Sequence, residues 1–198
     1  MLHLDTWLIK ERVGLLKLVD VYDIFDPATG SQVGVAKETP PLIAQILRVF
    51  VGKRWIPTQV TVSASPEPGS QVFFTLDKPF AFFRPKVIVY EAAGQPLGYM
   101  VGKLFTIGGG FHVYDMNDQQ VAEVQGDFLG WNFSLVDVAG QRIGTITKKW
   151  AGIGKELFTS ADNYVVQAEG PAKTDQRRKI LLLGAALAID IAYKEHNR

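Results

Sequence analysis

The sequence predicts a mainly β protein: a meander of short hairpins that curls on itself around one C-terminal helix. A strand–turn–strand pattern recurs at nearly regular spacing, and its turns pair an acidic residue with, usually, a glycine. The final stretch from Ile180 to Tyr193 is apolar on every face, broken only by Asp190. Such a helix must be surrounded by protein or by lipid.

The first hairpin runs from Tyr22 through Asp26-Pro-Ala-Thr-Gly30 to Gly34. A helix candidate follows at Pro41–Phe50, with Leu42, Ile43, Ile46, Leu47 and Phe50 on one face and Gly52 as its stop. With Lys53, Arg54 and Trp55 directly after it, this amphipathic stretch would cap an open barrel end or lie in a membrane interface. Val60–Val62 and Gln71–Leu76 read as strands around the loop 63–70. Three further hairpins span Val87–Tyr99, Phe111–Ala122 and Phe133–Gly144, since Asp, Asn and Gly supply the turn conformations. Tyr90 to Tyr114 is 24 residues and Tyr114 to Val136 is 22, the regularity of repeated hairpins. Fourteen residues from Ile180 to Tyr193 make a helix of roughly 21 Å. A bilayer core is about 30 Å thick, and a carboxylate at membrane depth costs ~2.5–3.5 kcal/mol. Enclosure by the chain's own sheet is therefore favoured, with Ile180, Leu183, Leu187 and Ile191 as its core contacts. We expect one domain, residues 1–198.

Net charge is +1, so bulk electrostatics names no partner, although from Gly140 onward ten Lys/Arg stand against six Asp/Glu. With no cysteine, a disulfide framework and a thiolate zinc site are excluded. Asp5 interrupts the N-terminus before any apolar run, so no secretory signal is expected and cytoplasmic residence is the default.

Catalytic motifs do not emerge. His3, His112 and His196 are far apart, there is no Gly-x-Ser-x-Gly elbow, and Gly108-Gly109-Gly110 reads as a turn or bulge. Gly152-Ile-Gly154-Lys155 fails as a phosphate loop because Glu156 stands where Ser or Thr must hold magnesium. Asp26, Asp115, Asp118 and Asp137 are explained as turn caps. The basic residues are the ligand-facing candidates: Lys53 and Arg54, Lys148 and Lys149, and Arg177, Arg178 and Lys179. Lys148 and Lys149 together with the Arg177–Lys179 helix start form either a solvated rim or an anionic-lipid patch worth about 1 kcal/mol per charge.

The run Gly144-Thr-Ile-Thr-Lys-Lys-Trp150-Ala-Gly152 leading to Glu156-Leu-Phe158-Thr159-Ser-Ala-Asp162-Asn163-Tyr164 resembles the signature of the phospholipid scramblase family. Gly94-Gln95-Pro96-Leu97-Gly98-Tyr99 and the tail from Arg177 to Glu195 are similar to that family's hairpin and hydrophobic helix. The resemblance is strong from about Tyr90 to Tyr193, and it groups the chain with LURP-one-related proteins in the Tubby C-terminal-like superfamily. It implies a closed antiparallel barrel of about twelve strands around a buried C-terminal helix, and a membrane-linked, lipid-handling role. It also implies a calcium loop before the helix. Asp162 is kept there, but Ser160 and Pro171 stand where carboxylates would be needed. The expectation is thus no cofactor, with Asp162 as a degenerate calcium ligand.

These readings lead to a scramblase-like, lipid-binding protein that is not a classical enzyme. It would be cytoplasmic, peripherally attached to an anionic phospholipid surface, with movement of lipid between leaflets as a further step. The alternative is a soluble Tubby-like interaction or regulatory module that binds a protein or nucleic-acid partner without lipid transport, nucleic acid being the less expected of the two.

Overall fold

The computed structural model describes residues 1–12, 19–41, 56–81, 83–103, 110–127, 130–148 and 163–193. Twelve antiparallel strands follow one another in chain order: β1 (Thr6–Glu11), β2 (Val21–Phe25), β3 (Gln32–Thr39), β4 (Thr58–Ser63), β5 (Val72–Lys78), β6 (Lys86–Glu91), β7 (Pro96–Gly102), β8 (Phe111–Tyr114), β9 (Gln120–Asp127), β10 (Asn132–Asp137), β11 (Arg142–Thr147) and β12 (Asn163–Ala168). Each pairs with its sequence neighbours, and β12 pairs with β1 from Thr6↔Gln167 to Lys10↔Asn163, which closes the barrel. Closure removes the free edges that an open sheet of this size would expose. A short 3₁₀ turn (Gly170–Lys173) then leads into α1 (Gln176–Tyr193).

The four predicted hairpins are β2–β3, β6–β7, β8–β9 and β10–β11, and the strands around loop 63–70 are β4 and β5. The predicted helix at Pro41–Phe50 lies, from Leu42 onward, outside the described residues.

All five tight turns sit at one end of the barrel, here called the turn end. In three of them one geometry repeats. Glu91, Asp115 and Asp137 donate their N–H to the carbonyl four residues on, and their own carbonyl accepts from Gly94, Asp118 and Gly140. Those three donors, Gly94, Asp118 and Gly140, have φ of +78°, +61° and +80°. This is a type I turn closed by a left-handed residue. The carboxylates of Asp115 and Asp137 each accept two turn amides at 2.8–3.0 Å. Asp118 takes the left-handed place without glycine, and accepts the Tyr99 hydroxyl at 2.7 Å.

Beside every one of the five turns the strand register slips, at Ile24/Phe25, Val62/Ser63, Val89/Tyr90, Val113/Tyr114 and Leu135/Val136. Bulges raise local twist and bend the strand. Five of them at one end supply the curvature that closure needs.

Along each strand alternate side chains point inward. Trp7 and Ile9, Tyr22 and Ile24, Phe74 and Leu76, Val87 and Val89, and Phe133 and Leu135 are essentially fully buried. They meet α1, whose residues from Leu182 to Asp190 are all buried. Ile180, Leu183, Leu187 and Ile191 belong to the same core. The helix contains Gly184, Ala185, Ala186 and Ala188 at its centre, which keeps it thin enough to be wrapped. A Cβ on Gly184 would approach Leu76 to 3.2 Å, Val89 to 3.5 Å and Met100 to 3.6 Å. On the facing wall, a Cβ on Gly144 would lie 2.5 Å from Leu182 and 2.4 Å from the Gln167 carbonyl.

Gly144→Val is expected to destabilise the barrel by about 1–3 kcal/mol or more, since overpacking meets backbone as well as side chain. Gly140→Ala has nothing within 4 Å and should cost only the left-handed backbone penalty of about 1–2 kcal/mol. Urea midpoints at constant m-value measure both.

Candidate functional site

The ends of the barrel differ in chemistry. The five tight turns at 26–31, 64–70, 91–95, 115–119 and 137–141 contain six carboxylates and no Lys or Arg. At the opposite, connector end, the sequence joining the strands is different: residues 13–18, 42–55, 104–109 and 149–162 carry six Lys/Arg against two Asp/Glu and are rich in Leu, Ile, Phe and Trp. Among the described residues of that end, Phe83 is 82% exposed and Phe80 54% exposed. Arg84 follows directly and donates to the Gly102 carbonyl at 2.8 Å. Lys86 lies over the Tyr99 ring at 4.0 Å.

The predicted cations divide between these ends. Lys148 follows β11 at the connector end, its ammonium 4.3 Å from the Trp131 ring centre. Lys53, Arg54, Lys149 and Asp162 lie outside the described residues. Arg177, Arg178 and Lys179 begin α1 at the turn end, a full strand length away, ~17–20 Å for a six-residue strand. The single patch expected from Lys148 with Arg177–Lys179 is therefore not formed. The chain crosses the barrel along β12 before the helix starts, and sequence proximity conceals that crossing.

The helix-start cations have partners within the chain. Asp175 caps α1, its Oδ1 accepting the amides of Arg177 at 2.9 Å and Arg178 at 3.2 Å. Arg177 Nε donates to Glu91 at 2.9 Å, and Arg178 Nε lies 3.4 Å from Asp175 Oδ2. Lys179 is buried, with its ammonium 2.8 Å from Asp5 and donating to the Leu2 carbonyl at 3.3 Å. A basic cluster at a helix N-terminus opposes the helix dipole, and these acidic partners offset it.

A cleft of about 240 Å³ opens between the start of α1 and strands β7–β11 at the turn end. Leu97, Val121, Leu135, Ile143 and Leu181 give it apolar walls; Arg177, Arg178, Asp115 and Asp137 supply charge around it. The Arg178 Nη1 atom is shielded from solvent and has no hydrogen-bond acceptor among the described residues.

The carboxylate that interrupts the apolar helix has a specific partner. Asp190 is buried near the connector end and accepts the Tyr22 hydroxyl. Burial, and then the negative charge of Asp190, push the Tyr22 phenol well above its ordinary value. The same two causes, in that order, act on Tyr164, whose buried hydroxyl has no hydrogen-bond partner among the described residues. Glu11, Asp20, Glu38, Thr58, Lys78 and Asn163 are also buried at strand ends on this side, and Glu38 accepts the Asp20 amide at 3.1 Å. Period-2 alternation puts Tyr22 inward beside Ile24, but nothing in the sequence pairs it with a residue 168 positions away.

Among the described residues no three His, Asp or Glu are grouped as a metal site requires. Among the same residues no helix is long and apolar enough to cross a membrane.

The Scramblase family profile matches residues 28–196. The chain belongs to the scramblase family. It is 28% identical over 120 residues to phospholipid scramblase 2 of Homo sapiens, covering 57% of this chain and 40% of that protein. It is 29% identical over 117 residues to phospholipid scramblase 1 of Rattus norvegicus, covering 56% and 34%. Altered inheritance rate of mitochondria protein 25 of Saccharomyces cerevisiae is 26% identical over 94 residues, covering 40% and 29%. The chain thus spans less than half the length of these curated relatives. No solved structure matches it significantly. The closed barrel with its C-terminal helix is consistent with the Tubby-like superfamily expected from the sequence.

The two buried phenols predict a particular alkaline limb. Both stay neutral in the fold while the unfolded chain releases their protons from about pH 10 upward. The native state then holds more protons than the unfolded one, so stability falls as pH rises, by about 1.4 kcal/mol per pH unit for each phenol. Tyr22→Phe should remove about half of that slope while costing about 1–3 kcal/mol at neutral pH for the lost hydrogen bond. Denaturant unfolding between pH 8 and pH 11.5 measures both.

Proposed function

We propose that this scramblase-family barrel is a peripheral lipid-binding protein that presents its connector end to an anionic phospholipid surface, without a catalytic step. The observation that carries this reading is the chemical division of the barrel. One end has acidic, polar turns; the other has exposed Phe80 and Phe83 beside Arg84, with Lys148 on the same side and basic, apolar sequence joining its strands. A surface that is both cationic and apolar fits the membrane interface, where charge attracts headgroups and aromatic rings enter the acyl boundary. An acidic turn end would be repelled by the same lipids. Lys148, Lys149, Lys53 and Arg54 are the headgroup cations in this reading, whereas Arg177, Arg178 and Lys179 are used in contacts within the chain.

Movement of lipid between leaflets is a separate matter. The barrel interior is filled by α1 and the inward side chains, so a headgroup would have to travel over the outside of the barrel. Reconstituted protein in vesicles carrying a fluorescent lipid in one leaflet tests that step directly.

Flotation tests the docking. Recovery with vesicles should rise with the fraction of anionic lipid and fall as salt is raised. Lys148→Glu and Phe83→Ser should each reduce partitioning by at least about fivefold. Unchanged recovery of both variants, or recovery indifferent to anionic lipid, would overturn the orientation. The latter result would instead favour a soluble module that binds a protein partner.

A further inference from the structure

Strand alternation leaves one sector of the barrel exterior unlike its neighbours. Outward positions on β4, β10 and β11 hold Gln59, Thr61, Ser134, Thr145 and Thr147, the polar residues that a solvated outer face calls for. On β6, β7 and β8 the outward positions hold Ile88, Tyr90, Tyr99, Val101, His112 and Tyr114, all half-buried. Register sets Ile88, Tyr99 and Tyr114 side by side across three strands, with Asp77 of β5 next to Ile88.

Contacts within the chain hold this row in place. The Tyr99 and Tyr114 rings stack with centroids 5.1 Å apart and planes 16° from parallel. The Tyr99 hydroxyl donates to Asp118 at 2.7 Å. The Lys86 ammonium lies 4.0 Å from the Tyr99 ring centre, so the aromatic pair already attracts one cation. The charge beside the row is mostly negative. Asp77, Asp115 and Asp118 have no ion-pair partner among the described residues. Glu91 and Glu123, by contrast, are paired with Arg177 and Lys103.

From this arrangement we infer that the outer wall of β6–β8 docks an extended, arginine-bearing segment of a partner protein. A guanidinium is planar and always charged, and it stacks on an aromatic ring while donating to carboxylates. One such group stacks on Tyr114 with Asp115 and Asp118 as acceptors, and a second meets Asp77. From Asp77 to Tyr114 the row crosses three interstrand spacings, about 14 Å. Four residue steps of extended chain cover that distance at ~3.4 Å each, and residues four apart share a face. Anionic lipid and nucleic acid would both meet the three carboxylates. The inference does not rest on the lipid reading, which uses the rim of the connector end and not the side wall.

The test titrates the capped peptide Gly-Arg-Gly-Ser-Gly-Arg-Gly into the full chain at low salt, followed by amide and aromatic chemical shifts. Saturable shifts should localise to Ile88, Tyr99 and Tyr114. Lysine in place of both arginines should weaken binding several-fold, and citrulline, planar but uncharged, should abolish it. Asp77→Asn and Asp118→Asn should each weaken binding about two- to fivefold; asparagine tolerates the left-handed backbone at position 118. Asp26→Asn removes the same charge from the far side of the closed barrel and should leave binding unchanged. Mapping on the unmodified chain keeps the proposal testable should a variant fail to fold. Shifts outside the wall, equal binding of the citrulline peptide, or full affinity in both Asp77→Asn and Asp118→Asn would each overturn it. So would wall resonances that respond to anionic vesicles and not to the arginine peptide, the result expected of a lipid-facing wall.

Discussion

A sheet of twelve strands closed on itself encloses more space than its own side chains fill, and the apolar helix α1 occupies that space. The two parts need each other. Without the helix, the inward faces of twelve strands would line a void or admit water, and either loses the packing contacts on which interior stability rests. Outside the barrel, a helix buried from Leu182 to Asp190 would expose apolar surface on every side. The small residues at its centre set the fit, because Gly184 already brings Leu76 and Val89 close to the helix axis. The helix is C-terminal, so its enclosure brings chain segments distant in sequence into one core, as the Tyr22–Asp190 bond across 168 positions illustrates.

The same closure separates two kinds of surface. Every odd-numbered strand above β1 is reached through a short turn, and every even-numbered strand through a connection at the other end, so all tight turns gather on one side. Turn chemistry demands Asp, Asn and Gly, and this makes that side acidic and polar as a by-product of folding. The connector end is free of that demand and carries Phe80, Phe83, Arg84 and Lys148. A difference that begins as local backbone chemistry thereby becomes a difference in which surface an anionic membrane would attract.

Arg177, Arg178 and Lys179 show how composition can mislead about availability. As sequence they form a basic cluster beside an apolar helix, the arrangement expected of a headgroup site. In the fold, Glu91, Asp175 and Asp5 converge on them from three separate places in the chain. Their first role is to let a helix with an unfavourable charge at its N-terminus begin inside the rim of the barrel. Among the described residues Arg178 keeps one shielded donor, Nη1, without an acceptor, beside the neighbouring cleft.

The hairpins, their turn residues and the enclosed tail are local or compositional properties, and the sequence by itself determined them: alternation fixes which side chains face inward, and left-handed turn positions select Gly or Asp. The scramblase signature was legible for the same reason, being a contiguous run from Gly144 to Tyr164. What the tertiary structure decided was which distant residues meet. It placed Lys148 and Arg177 at opposite ends although they stand only 29 positions apart in sequence, seated Asp190 against Tyr22, and opened the cleft between α1 and β7–β11. Those outcomes depend on strand register and on where the helix enters the barrel, and both are set by the packing of all twelve strands together.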